Sequence, residues 1–243
     1  MWVPPRATNN VAVPASETTR LRVFALRRPK PTGYTLINIT STSSNPVWRK
    51  LSPMLLGPIM VHTPRGTFAA SCVENAWQYS KVYRTDLRGR PLVDELGEPN
   101  DAYYEWARRG WANPNPIRFP MGRNSRPLYS LGPQGDRLSY IEARHTLYAP
   151  WYVKAVIQTP AYKALKELYE TGAFIGLVDF DGWDHVGQQY SLAAVLRQPN
   201  PKMGHAFVLA GLLTNDYFWK DRYQPIIPLA PIDDDDPIWD EFA

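Results

Sequence analysis

Val73-Glu74-Asn75-Ala76-Trp77-Gln78-Tyr79-Ser80-Lys81-Val82-Tyr83 combines a helix start with three polar side chains at helical spacing. The spacing predicts a helix opened by a capping box, in which Ser71 accepts from the Glu74 N–H and Glu74 reaches back to the Ser71 N–H. At 3.6 residues per turn, Glu74, Gln78 and Lys81 fall on one stripe beside the more apolar Val73, Ala76, Trp77 and Ser80. A carboxylate, an amide and an amine therefore project together. Spacing alone equally fits a capped surface helix with a solvated lysine, and both readings stand at this point.

The run from Glu74 to Tyr83 resembles the signature helix of the NADAR (YbiA-like) N-glycosidases, with Glu74, Gln78 and Lys81 at the family's three polar positions. Upstream, Trp48, Leu51-Ser52-Pro53-Met54 and Val61 to Phe68 resemble the family's opening segment of Ser-Pro-Phe, strand, turn and strand. Met54 stands where that pattern has Phe. The likeness covers about residues 36 to 83 and loosens beyond. It implies an α+β fold, a mostly helical single domain around a small sheet. It also implies hydrolysis of a base–sugar C–N bond, notably in an ADP-ribosyl-guanine adduct of nucleic acid or a related nucleotide. Asn38 and Trp48 then become candidates for ribose or base contacts.

The chain has 243 residues, 44% of them hydrophobic, enough for one sizeable core. We expect an extended arm over 1–20, one catalytic domain over 21–230 and an acidic tail over 231–243. Residues 1–50 carry eight Lys or Arg against one Glu, whereas six carboxylates and no base follow Pro231. The basic end can meet DNA or RNA, or the tail can fold back on it. No apolar run is long enough to span a bilayer and the N-terminus lacks a signal-peptide centre, so we expect a cytoplasmic protein with no membrane partner. The single cysteine, Cys72, excludes an intrachain disulfide; in the first turn of a helix it reads as a small buried side chain or a thiol of lowered pKa.

Arg20 to Arg27 alternates like a strand with a basic face, either a phosphate rail or a charge-guarded edge. Tyr34–Ile39 and Met60–His62 read as further strands, and Asp101–Gly110 as a short helix. In the Pro- and Arg-rich loop from Trp111 to Pro133, Arg118 and Arg123 suit a pyrophosphate or a nucleic-acid backbone, or local ion pairs. Leu138–Tyr148 reads as a helix capped by Ser139. Its Glu142 and His145 have no second pair at metal spacing, so no metal or other cofactor is expected. Thr159-Pro160 starts another helix, closed at Gly172, and Ser191–Arg197 a further one.

Ala173–Val178 is the strongest buried-strand candidate, and it delivers Asp179, Asp181 and Asp184 into a loop. By resemblance to a later family segment, Asp181 is assigned to catalysis and Trp183 to substrate binding. Met203–Leu213 is an apolar, hence central, helix. His205 stands near its positive end, where the family pattern commonly has Asn; that end favours neutral imidazole, able to donate or accept a hydrogen bond to substrate in the pocket, the other reading being core packing. No Walker loop, dinucleotide fingerprint or Gly-x-Ser-x-Gly elbow occurs.

A carboxylate beside an anomeric carbon stabilises developing positive charge, and a partly buried amine is free to attack it. Lys81 is accordingly read as nucleophile, Glu74 as acid/base and Gln78 as the group positioning sugar hydroxyls. An ADP-ribose-like or nucleotide-like ligand is the expected partner. The competing class is a non-catalytic nucleic-acid-binding or assembly protein.

Overall fold

The computed structural model describes residues 20–220. The acidic tail and all of the expected arm except Arg20 lie outside the described residues. Helices and short strands make an α+β unit, in which three small sheets replace the single sheet expected. The strands are two to five residues long, and each set pairs within its own part of the structure.

Strands β1 (Leu21–Ala25) and β2 (Thr35–Asn38) flank β8 (Ile175–Asp179), both parallel to it. Every residue of β8 is buried, as a parallel central strand requires. At Gly176 a Cβ would lie 2.7 Å from the Phe24 ring and 2.8 Å from Leu36, so the side chains of both neighbours close over this glycine. The second sheet is the antiparallel hairpin β3 (Ile59–Thr63) and β4 (Gly66–Ala70), turned at Gly66 with φ of 116°. The third joins β5 (Lys81–Val82), β6 (Tyr129–Leu131) and β7 (Arg137–Leu138).

The first helix, α1 (Pro46–Arg49), is a single turn capped by Asn45. Helix α2 (Val73–Tyr79) is buried on every face. Its N-terminus corrects the expected capping box. Cys72 is the cap, its sulfur accepting from the Asn75 N–H at 3.4 Å. The Ser71 hydroxyl instead donates to the Asn113 carbonyl and accepts from the Asn75 amide, while Glu74 turns inward. Burial raises the Cys72 thiol pKa, which removes the reading of an activated thiol.

Helix α3 (Asp101–Trp111) packs on α2 so closely that a Cβ at Gly110 would fall 1.9 Å from the Tyr79 ring. Gly110→Ala therefore forces the two helices apart. A loss of about 1–3 kcal/mol is expected, read as a lowered denaturation midpoint with an unchanged slope.

Helix α4 (Tyr140–Ala143) opens with the capping box of Ser139 and Glu142 and runs straight into a π-helical turn, Arg144–Tyr148, then α5 (Ala149–Val156). Glu142 is spent on that cap. Helix α6 (Pro160–Glu170) starts at its expected Thr159 cap, and α7 (Leu192–Arg197) begins one residue after the expected Ser191, which caps it instead. The last, α8 (His205–Thr214), is buried from His205 to Leu213 and lies against α5, β1 and β8. Its all-round apolar surface leaves it no other place.

Candidate active site

Helix α2 ends at Tyr79, where the Ser80 hydroxyl bonds back to the Ala76 carbonyl at 2.8 Å. Lys81 is thus not on the helix, as its spacing predicts, but in β5 opposite Ser130. The three side chains still meet. Gln78 Nε2 donates to Glu74 Oε1 at 2.9 Å and Lys81 Nζ donates to Gln78 Oε1 at 2.9 Å. One amide bridges carboxylate and amine, its nitrogen toward the acceptor and its oxygen toward the donor. The ammonium lies 5.1 Å from the Trp77 ring centroid.

Lys81 is 4% and Glu74 7% exposed, and this burial sets their chemistry. Desolvation pushes the Lys81 amine down to about 8 against the opposing pull of Glu74, with Lys202 and Arg118 adding to the fall. Desolvation likewise raises the Glu74 carboxyl, opposed by Gln78 and Lys81. Water-poor surroundings thus favour the neutral forms of both.

Both side chains line a cleft with a volume of about 130 Å³. Its walls come from five parts of the chain: Thr40–Ser41 with the Ser52–Met54 turn, α2 with β5, the 118–127 loop, the Tyr140–Tyr148 segment, and the junction of β8 with α8. The loop is held by Asn75. Its amide donates to the Asn113 and Asn115 carbonyls, and its side-chain oxygen accepts from the Ile117 N–H at 2.8 Å. That staple brings Arg118 to the cleft, where it pairs with Asp181 at 3.0 Å. Asp181 carries a raised pKa because burial outweighs Arg118. Arg123 also lines the cleft, so both loop arginines stand where expected.

His205 lines the cleft too, in a state opposite to the one expected. Its Nε2 is 3.0 Å from the Ile39 carbonyl and its Nδ1 is 3.1 Å from Asp179 Oδ2. A carbonyl and a carboxylate only accept, so this pairing favours a hydrogen on both ring nitrogens, the imidazolium form. Burial lowers its pKa, but Asp179 overrides burial and raises it. Asp179 in turn is held low, His205 and two backbone N–H groups outweighing burial. The same carboxylate accepts from the Ala206 N–H at 3.2 Å and so caps α8. Gly204 is required there, because a Cβ would sit 2.1 Å from Asp179 Oδ2.

Three expected contacts do not reach the cleft. Asn38 spends its side-chain oxygen on the N–H and hydroxyl of Thr40, and Thr40 and Ser41 form that wall instead. Trp48 packs half-buried against the core. Trp183 donates to the Lys202 carbonyl and packs on Phe207; its loop runs so close to β1 at Gly182 that a Cβ there would fall 2.4 Å from the Phe24 carbonyl oxygen. Arg20, just before β1, donates to the Tyr169 carbonyl and Arg22 on β1 pairs with Asp184, which occupies two cations of the supposed phosphate rail.

Sequence reasoning missed Asn75, Lys202 and the trio Tyr140, Arg144 and Tyr148, of which Lys202 and the trio line the cleft. The trio's spacing of four residues was the available signal. Among the described residues no group of three or more His, Cys, Asp or Glu is placed to hold a metal ion. Nor is any helix there long and apolar enough to cross a membrane.

Fold and site together define an α+β protein with a buried lysine–carboxylate couple in a cleft rich in arginine. The chain matches no family model, no curated protein and no solved structure.

Proposed function

We propose that the protein is an N-glycosidase that cuts a base–sugar C–N bond through a lysine-bound intermediate. The observation that carries this reading is the buried Lys81 amine, lowered to about 8 and bridged by Gln78 to Glu74, itself raised by burial. The resemblance of residues 36 to 83 to the NADAR (YbiA-like) N-glycosidases supports it.

The neutral Lys81 amine attacks the anomeric carbon and forms a new C–N bond. The bond to the base breaks, and its electron pair leaves with the base, which takes the Glu74 proton. A proton passes from the Lys81 nitrogen to the ring oxygen, the nitrogen lone pair forms the C=N bond, and the ring C–O bond breaks, leaving an iminium and a free hydroxyl. Water adds to the iminium carbon, with Glu74 carboxylate accepting its proton. The carbinolamine hydroxyl passes its proton to the nitrogen, the C–N bond to Lys81 breaks, and the aldehyde so formed is reclosed by the ring hydroxyl, returning the free amine and a sugar carrying hydroxyl at the anomeric carbon. Gln78 holds amine and carboxyl in register, while Arg118 and Asp181 border the ligand. The substrate class proposed is an ADP-ribosyl-guanine type adduct in nucleic acid or a related nucleotide.

Borohydride tests the intermediate directly, since it reduces an iminium to a stable secondary amine. Incubation with ADP-ribose and borohydride should add the mass of the reduced sugar at Lys81, located by peptide mapping. An unmodified protein, or an adduct confined to surface lysines, would remove the covalent route.

A further inference from the structure

We propose that Arg144 forms a phosphate-binding subsite in the cleft, so that the ligand carries a phosphoryl group that reaches the cleft wall. The proposal takes the cleft to be the ligand site, as above, but does not depend on which bond is cut. Arg144 is 1% exposed, and burial at that level is rare for a guanidinium without a paired carboxylate. Among the described residues it has no acidic partner. Two of its five N–H donors are used, one on the Gln198 carbonyl and one on the Tyr140 hydroxyl, with the cation 3.9 Å over the Tyr140 ring. Its Nε–H has no partner.

The other charges of the cleft are already matched in part. Asp181 faces Arg118, Asp179 faces His205, and Glu74 is linked through Gln78 to Lys81. Arg144, and Arg123 at an exposed position of the rim, have no carboxylate partner among the described residues, and Lys202 adds a further cation to the cleft wall. A buried cation with spare donors is costly when empty and strongly attractive to an anion that fills those donors. Phosphate suits it better than carboxylate, since it offers more acceptor oxygens and a second charge for Arg123. The π-helical turn that begins at Arg144 also places Tyr148 on the cleft wall, and such turns cluster at functional sites.

The test uses the full chain and no turnover. Inorganic phosphate, ribose 5-phosphate, ribose and acetate are titrated by calorimetry. In parallel, the proton–nitrogen spectrum follows the Arg144 Nε–H, which burial protects from exchange and which Arg144→Lys identifies by its loss. Ribose 5-phosphate should bind about tenfold or more tightly than ribose, and Arg144→Gln should remove about that factor. Saturating phosphate should shift the Nε–H signal of the wild-type protein. Equal binding of ribose and ribose 5-phosphate, or an unmoved Nε–H signal, would overturn the subsite. Acetate acting as strongly as phosphate would overturn the phosphate assignment. If Arg144→Gln fails to fold, the wild-type signal decides. Phosphate binding without cleavage of any glycoside would leave this subsite standing and sink the glycosidase reading instead.

Discussion

Lys81→Ala is expected to lower glycoside hydrolysis by about a thousandfold or more, the scale seen when a covalent nucleophile is removed, and to remove the borohydride adduct. The fold should survive. Gln78 loses a hydrogen-bond donor, at a cost of about 1–3 kcal/mol, yet no bare charge is left behind. With the nearby cation gone, the Glu74 carboxyl loses the pull that opposed its burial and rises further. A folded Lys81→Ala variant with wild-type turnover would take Lys81 out of the reaction.

The same lysine sets two pH responses. Attack needs the neutral amine, so single-turnover rates should climb with pH toward about 8, where Lys81 titrates in the folded state. They should fall again where Glu74 can no longer supply its proton. Stability moves in a related window. Between about 8 and the ordinary lysine value of 10.5 the unfolded chain holds the Lys81 proton more firmly than the folded one. This group's contribution to folding therefore improves as pH rises across that interval, and Lys81→Ala should flatten the slope in denaturant titrations.

Asp179→Ala is expected to be the most destabilising single change at the site. It strips the counter-charge from buried His205 and leaves α8 starting at Gly204 with no acceptor for the Ala206 N–H. Breaking one side of a buried ion pair costs about 3–5 kcal/mol, which for a chain of this size lowers the melting temperature by roughly 10 °C. Asp179→Asn should fall between the two proteins, because it keeps an acceptor for the helix end but no charge. A wild-type melting temperature for Asp179→Ala would dismiss the pair as a structural element.

The pH signature of this pair differs from that of Lys81. His205, raised from 6.5, contributes fully below 6.5 and loses its contribution as pH climbs through its folded value. Asp179, lowered from 3.8, contributes above 3.8 and loses it as pH drops through its folded value. Wild-type stability minus that of Asp179→Ala should accordingly be largest in mildly acidic solution.

What could be read from the sequence was mostly local. The Ser139 and Thr159 caps start helices where short-range hydrogen bonding says they should, and the uninterrupted apolar runs of β8 and α8 are central. The meeting of Glu74, Gln78 and Lys81 was also legible, although for an incomplete reason. Periodicity predicts one helix through all three, whereas the Ser80 back-bond ends it and a strand residue completes the set. What escaped depends on distant partners. Ser71 is a good capping residue until Asn113, some forty positions later, takes its hydroxyl. His205 at a helix start should be neutral until Asp179 arrives beside it. Likewise the buried state of Arg144 belongs to packing, and no spacing rule reveals that a surface-type residue has lost its solvent.

The pairing of β8 with both β1 and β2 imposes an order of events on synthesis. Residues 21–38 leave the ribosome long before residues 175–179, yet in their sheet β8 lies between them. Until it is made, two apolar strands wait with open edges, in the kind of long-delayed contact that slows folding and invites aggregation. Asp179 closes that same strand, so the His205 pair and the end of α8 cannot form earlier either. A nascent chain halted before residue 175 would thus display sticky edges and no cleft, which makes the final third of the protein the step that turns a vulnerable polypeptide into a working one.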